Sequence, residues 1–388
     1  MHSKPELIVI SQNLMGGGSS FHRNMLAHRP DEYFDVKCIY LDPLDWAAKR
    51  LENHSLGEND SIFEFTQQPD EQLAEKLNKH ISNKKGAIVA NLPEELITLD
   101  HFPKSNKTVY FICHDKGFLY LVKKYEYLID IFIAHNFEVY ESIRELLPKR
   151  LKDVHFIQHG VEIQNYKREK KESQKLNLVF LARHVKSKGI YDLPKINQIL
   201  VNNNIEVNWM ILGDGEEKQN FKKEVSAYSN FQFETPETNA DVIEILKRQD
   251  IYILPSSLDG LPVSLLESMS VGCVPIVYNF SEGIKKVITN DIGYVENIGD
   301  INSVAEKIIL LHNDRNRLFE QSTNAINKVE KEFNIKIQAN EYFNLYKKFK
   351  SLKKNRFILL TKLEKKYSKY KIVRIGFKVL RILKMIQK

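Results

Sequence analysis

The stretch from Asp250 to Val277, DIYILPSSLDGLPVSLLESMSVGCVPIV, constrains the fold more than any other part of the chain. Ile251 to Leu254 is an apolar run of strand length, ended by Pro255-Ser256-Ser257 and a loop carrying Asp259 and Gly260. Leu261 to Val271 then has helical spacing, Gly272 closes it, and a second apolar run with Pro275 follows. Strand, loop, helix and strand in such short order predict a parallel α/β unit whose loop lies at the carboxyl end of the sheet. There Gly260 lets backbone approach a ligand, and the first helical N–H groups face an anion. Asp259 and Glu267 have seven residues between them, one on the loop and the other about two turns into the helix, so both can face one polar ligand.

The same alternation recurs through the chain. Strand-like runs at Glu6 to Ser11, Val36 to Leu41, Ser61 to Phe65, Ala87 to Asn91, Thr108 to Cys113, Asp130 to His135 and Val154 to Gln158 predict a first Rossmann-like domain. A charged stretch, Lys167 to Lys175, reads as an exposed linker. Leu178 to Ala182, Val207 to Leu212, Phe231 to Glu234 and Ile251 to Leu254 then predict a second sheet, and helical runs follow at Ile301 to Leu311, Arg315 to about Glu332 and Ile335 to Lys350. The expected divisions are 1–165, 166–335, a last helix at 336–352 and a tail at 353–388. A chain of 388 residues gives each of two domains room for its own core.

Charge separates the tail from the body. Lys347 to Lys388 holds sixteen Lys or Arg residues against Glu364 alone, so the total of +7 conceals a body, Met1 to Tyr346, of −8. On a helical wheel Ile372, Ile375, Val379, Ile382, Leu383 and Ile386 share one side, opposite Lys371, Arg374, Lys378, Arg381, Lys384 and Lys388. This basic amphipathic helix suits an anionic membrane surface, each cation near it contributing about 1 kcal/mol. RNA binding, an acidic partner, or packing on the protein itself would use similar residues. No apolar run is long enough to span a bilayer, and the apolar start near Leu7 is too short for a signal peptide, so the expected location is cytoplasmic. Cys38, Cys113 and Cys273 sit in or beside strand-like runs and read as buried, reduced thiols.

Several polar residues lie where predicted strands end. Arg183 and Lys188 flank the turn after Leu178 to Ala182, where both cations can converge on a diphosphate. His114-Asp115 follows Thr108 to Cys113, so His114 would face the crevice and Asp115 could orient its ring or bind a hydroxyl; His135-Asn136 occupies a comparable place one strand on. Met15 to Ser20, with Gly16, Gly17 and Gly18, lies between the first strand and a helical pattern from about Phe21, a weak anion-binding signal by itself. Gly213-Asp214-Gly215 reads as a structural turn. There is no Asp-x-Asp and no His/Cys cluster with ligand spacing, so neither metal nor cofactor is expected.

Pro255, Ser256, Asp259, Gly260, Glu267, Ser268, Met269, Gly272 and Pro275, in that order, resemble the signature of family 4 glycosyltransferases, which have the GT-B fold. Asp259 stands where that family usually has Glu, and Gln158-His159 replaces its usual Asn-bearing segment before Gly160-Val161. The resemblance implies two Rossmann-like domains facing each other across a cleft, with the last helices returning to the first domain. It implies that Arg183 and Lys188 hold donor phosphates, Asp259 contacts sugar hydroxyls and Glu267 the ribose. Likewise His114 would lie near sugar or acceptor, Gly16, Gly17 and Gly18 over the diphosphate, Gly260, Leu261 and Pro262 at the helix start, and Thr235 and Pro236 beside the base. The implied activity is retaining transfer of a hexose-type sugar from a nucleotide diphosphate sugar, with UDP expected, to a hydroxyl of a glycan, expected to be lipid-linked, in cell-surface polysaccharide assembly. A sugar-nucleotide epimerase or donor hydrolase is the alternative enzyme, and a membrane- or RNA-binding protein acting through its tail is the alternative class; a nucleic-acid partner is not expected.

Overall fold

The computed structural model describes residues 4–14, 17–46, 57–170, 175–281 and 283–354. Gly16 and the expected amphipathic helix of Ile372 to Ile386 lie outside the described residues. Two compact units are present, one comprising 1–22, 30–157 and 341 onward, the other 23–29 and 158–340.

The first unit is built on a parallel sheet of β1 (Glu6–Gln12), β2 (Asp35–Pro43), β3 (Ser61–Phe65), β4 (Gly86–Ala90), β5 (Lys107–Cys113), β6 (Ile131–Ala134) and β7 (Val154–Phe156), in the order β3-β2-β1-β4-β5-β6-β7. Consecutive residues Leu7 to Ile10 and Tyr110 to Cys113 are all inaccessible to solvent, so both faces of these strands are covered. That is why they read as continuous apolar runs and not as alternating ones. A buried ion pair, Lys107 Nζ to Glu6 at 2.5 Å, ties β5 to the start of β1. Tyr342, Tyr346 and Phe349 are buried in this unit, where Tyr110 donates to the Leu345 carbonyl at 3.1 Å and Thr108 to that of Phe349 at 2.6 Å.

The second unit has the sheet β8 (Leu176–Leu181), β9 (Val207–Leu212), β10 (Phe231–Glu234), β11 (Ile251–Leu254), β12 (Val274–Tyr278) and β13 (Tyr294–Glu296), again parallel, in the order β10-β9-β8-β11-β12-β13. In both sheets the chain winds outward from one strand and then returns to the other side of it. The reversal falls between β1 and β4 in one and between β8 and β11 in the other. Connections leave such a pair in opposite directions, which opens a crevice beyond the carboxyl ends.

Four differences from the sequence reading have physical causes. The first helix begins at Gly17, not near Phe21, so Gly17 and Gly18 form its first turn instead of a loop. Ser19 Oγ donates to the Gln12 carbonyl at 3.0 Å and fixes this entry. The start of the charged stretch is anchored, not an exposed linker, because Arg168 meets Asp250 at 2.5 Å with both side chains 6% exposed, and Tyr166 donates to the Lys247 carbonyl at 3.0 Å. Charge read from sequence cannot distinguish a solvated cation from a paired one. Strand β13 was not expected, since only the first of its three residues is buried and no apolar run marks it in the sequence. The last run breaks into a helix, Ile335–Lys347, and a short turn, Phe349–Leu352. No helix among the described residues is long and apolar enough to cross a membrane.

Candidate functional site

In the second unit the loops after β8 and β11 interlock. Ile251 and Tyr252 of β11 pair with Leu178 and Val179 of β8, so the two strands end side by side at the reversal point. Gly189 has φ +71°, and a Cβ there would lie 1.9 Å from the Pro255 carbonyl oxygen, so only glycine lets the β8 loop rest on Pro255. The Ser187 carbonyl accepts from Ser257 N at 2.9 Å and from Ser256 Oγ at 3.2 Å. Across this seam Lys188 Nζ pairs with the Asp259 carboxylate, the side chains 13% and 20% exposed, and also reaches the Leu258 carbonyl at 3.4 Å. Arg183 lies exposed on the same loop with no ion pair among the described residues. With Lys186, which pairs at 3.6 Å with Glu217 outside the seam, the loop pair carries three cations, Arg183, Lys186 and Lys188, against the one carboxylate of Asp259 and is net positive.

The helix Val263–Ser270 follows, and its N-cap, Pro262, makes no side-chain capping bond. Its first N–H groups lack intrahelical acceptors, which leaves the positive end of the helix dipole uncapped by a side chain. Gly260 N donates to Asp259 Oδ1 at 3.1 Å, and Leu261 packs partly buried against the core. Glu267 is buried on this helix, and burial pushes its carboxyl up to about 7, opposed by a hydrogen bond from Asn239 and by the charge of Arg23. The structure therefore does not put Asp259 and Glu267 in like environments: one is paired and accessible, the other desolvated. Asn239 and Arg23 carried no sequence signal.

The β9 and β10 loops meet through Lys218, which reaches Thr235 Oγ1 at 3.1 Å and Asp214 at 3.5 Å. Pro236 follows in the same irregular segment before the helix Asn239–Leu246. Gly215 has φ +155° and packs on the backbone of buried His184, a structural role for this turn.

In the first unit the side chains beyond the carboxyl ends of β4, β5 and β6 converge. His114, half-buried, lies 3.3 Å through Nε2 from Asn91 Oδ1 and 3.0 Å through Nδ1 from His135 Nε2. His135 Nδ1 is 2.8 Å from the hydroxyl of Tyr342. Burial pushes His114 down to about 4. Buried His22, with its ring centroid 5.9 Å from that of His114, is pushed down to about 3 by its own burial and by His114, with Asn91 opposing. Both rings are neutral at pH 7. Asp115 does not orient His114; its carboxylate accepts from Gly117 N at 2.7 Å and caps a short turn, because an Asp in extended backbone before a turn is best satisfied locally. His135 takes the place expected for it, and Asn136 caps the helix Phe137–Leu146 through Val139 N at 2.9 Å. Gly18 is exposed with open space beside it.

Cys38, Cys113 and Cys273 are buried free thiols, Cys113 pushed up by burial and by Asp115. No group of three or more His, Cys, Asp or Glu among the described residues is disposed to hold a metal ion.

Two doubly wound parallel sheets of this kind define the GT-B class, and solved structures of that class superpose on the chain. Sucrose-phosphate synthase from Thermosynechococcus elongatus does so with a TM-score of 0.68 at 14% identity, covering 88% of this chain and 98% of that one. Anabaena HepE in complex with UDP-glucose gives 0.67 at 15% identity over the same shares. Residues 162–331 match the family model for Glycosyl transferases group 1. The capsular polysaccharide biosynthesis glycosyltransferase CapM of Staphylococcus aureus is 25% identical over 199 residues, 48% of this chain and 51% of the relative. The UDP-Gal:alpha-D-GlcNAc-diphosphoundecaprenol alpha-1,3-galactosyltransferase of Escherichia coli is 29% identical over 161 residues, 40% of this chain and 41% of the relative. The matched region thus spans about half or less of these curated relatives.

Proposed function

We propose that this protein is a retaining glycosyltransferase that moves a hexose-type sugar from a UDP-sugar to a hydroxyl of a lipid-linked glycan during polysaccharide assembly. The observation that carries the reading is the seam at the β8/β11 reversal, where Lys188, Asp259, Arg183 and the open helix start occupy one loop pair. As the bond from the anomeric carbon to phosphate breaks, negative charge builds on the leaving diphosphate. Fixed cations and helical N–H groups stabilise that charge without having to reorganise. Lys188 acts as a point charge and Arg183 as a planar fork, while Gly260, Leu261 and Pro262 bring backbone close to the phosphates. Asp259 receives sugar hydroxyls in place of, or together with, Lys188. Glu267 accepts from the ribose as a carboxylate, and Thr235 and Pro236 border the base. Gly16, Gly17 and Gly18 cover the diphosphate, and His114 contacts the sugar or the acceptor.

The UDP preference rests on a neighbour solved with UDP-glucose, and the lipid-linked acceptor on a relative named for a diphosphoundecaprenol substrate. Placement at the cytoplasmic face of a membrane rests on the basic tail read from sequence. The test is a panel of nucleotide sugars screened for protection against thermal unfolding, followed by transfer assays on lipid-linked glycans. Protection by a UDP-sugar, with product only when acceptor is present, supports the reading. Turnover of donor without acceptor would favour an epimerase or hydrolase, and protection by none of the panel would remove the donor site.

A further inference from the structure

The hydrogen bonds around His114 fix which of its nitrogens carries the proton. Buried Tyr342 sits 2.8 Å from the Ile157 carbonyl oxygen and 2.8 Å from His135 Nδ1. A carbonyl only accepts, so the single phenolic proton goes to Ile157, and the Tyr342 oxygen must accept from His135 Nδ1–H. With a single ring proton, His135 then presents a lone pair at Nε2, and His114 donates to it from Nδ1 at 3.0 Å. His114 Nε2 is left as a lone pair, 3.3 Å from Asn91 Oδ1. Asn91 cannot relieve this by turning its amide over, because its nitrogen donates to the Ile10 carbonyl at 2.6 Å and to Glu95 Oε1 at 3.2 Å. Two acceptors therefore face each other at a half-buried position; Asn91 is also engaged by the buried His22 ring, whose neutral form carries one N–H, whereas His114 Nε2 has no proton donor among the described residues.

We propose that Tyr342 and His135 are positioning residues that lock His114 as its Nδ1–H tautomer, so that His114 Nε2 and Asn91 Oδ1 together receive a substrate hydroxyl. The inference rests on the reading that His114 touches substrate. The rings around the chain are packed against its edges: Phe21 lies 4.6 Å from His135, 6.2 Å from His114 and 5.4 Å from Tyr342, between centroids. Besides His22, the ionisable neighbours are Glu95, hydrogen-bonded to Asn91, and Asp115, whose carboxylate is occupied by Gly117 N. Burial pushes both His22 and His114 well below neutrality, so neither is an imidazolium; the one N–H of neutral His22 serves Asn91 and not His114 Nε2. The donated hydroxyl belongs either to the transferred sugar or to the acceptor. Both present the same O–H chemistry.

Histidine ring nitrogens of the full chain, followed by nitrogen-15 NMR in wild type, Tyr342→Phe and His135→Phe, test the lock directly. Wild type should have Nδ1 protonated and Nε2 bare at His114. Tyr342→Phe frees His135 to take its other tautomer, which lets His114 Nε2–H bond to Asn91 and close the acceptor pair. Transfer is then measured with monodeoxy donors and monodeoxy acceptors. One such analogue should react about tenfold more slowly than its parent in wild type, the worth of one hydrogen bond, and no more slowly in Tyr342→Phe. The donor or acceptor arm in which this occurs names the source of the hydroxyl. A wild-type His114 protonated at Nε2, or a Tyr342→Phe variant with unchanged tautomer and unchanged discrimination, overturns the proposal. If the tautomer is as stated but no analogue loses rate and His114→Ala transfers normally, the substrate role falls together with the reading of His114, and the lock has no catalytic meaning.

Discussion

The two units solve the same topological problem with opposite electrostatics. Beyond the β8/β11 reversal the second unit places formal charges, Lys188 paired with Asp259 and Arg183 exposed on the same loop as Lys188. Beyond β4, β5 and β6 the first unit places neutral groups, an amide, two imidazoles and a phenol joined in one chain of hydrogen bonds. Fixed charge suits a polyanionic leaving group. A neutral, directional array suits hydroxyls, whose recognition depends on which atom donates.

Removing the charges should do the most damage. Lys188→Ala, like Arg183→Ala, is expected to lower kcat/KM by roughly 10²–10³-fold, the usual size for a group that stabilises transition-state charge, while circular dichroism and Tm stay near wild type. Normal turnover in either variant would break the contrast between the units. Next in size is Gly189→Ala. The Cβ would collide with the Pro255 carbonyl at a φ of +71°, and the expected loss is about 1–3 kcal/mol of stability, with weaker protection by donor, both readable by calorimetry.

His114→Ala should reduce transfer by about tenfold or somewhat more yet leave donor protection against unfolding nearly unchanged. Loss of donor binding instead would show that the neutral array is part of the donor site. The smallest expected effect sharpens the role of Glu267. Its folded value of about 7 stands above the ordinary carboxylate value of 4.5, so its burial disfavours the ionised form. The folded protein then holds a proton that the unfolded chain has released. Its contribution to stability is therefore greatest below the unfolded value and declines as pH rises through about 7. Glu267→Gln should flatten that decline. If the carboxylate accepts from the ribose, donor affinity of the wild type should rise severalfold as pH passes upward through 7, and this rise should vanish in the variant; titration calorimetry at several pH values measures both.

The second unit's loops were legible because each is contiguous in sequence. Pro255 to Gly260 and Arg183 to Gly189 carry their own strand ends, turn residues and charges, so local pattern was enough to single out Asp259, Arg183 and Lys188. What pattern did not convey is that Lys188 spends its charge on Asp259 in the free protein, or that Glu267 is desolvated while Asp259 is not. Both depend on how far apart two loops lie, which registers only once β8 and β11 pair. In the first unit His114 was visible as a histidine after a strand, but its orienting partner was expected at Asp115, next in sequence, and lies at His135 and Tyr342, distant in sequence and brought in by the sheet and the last helix.

From its sequence alone the chain determined two parallel α/β sheets, the loops at which ligands should bind and the types of charge those loops carry, because periodicity and turn chemistry are properties of neighbouring residues. Tertiary structure decided which carboxylate is paired and which is buried, which histidine nitrogen keeps its lone pair, and that Asn91, Asn239 and Tyr342 take part at all. These are settled by packing between segments remote along the chain, where an ångström of separation or a single shared proton determines chemistry that local pattern does not encode.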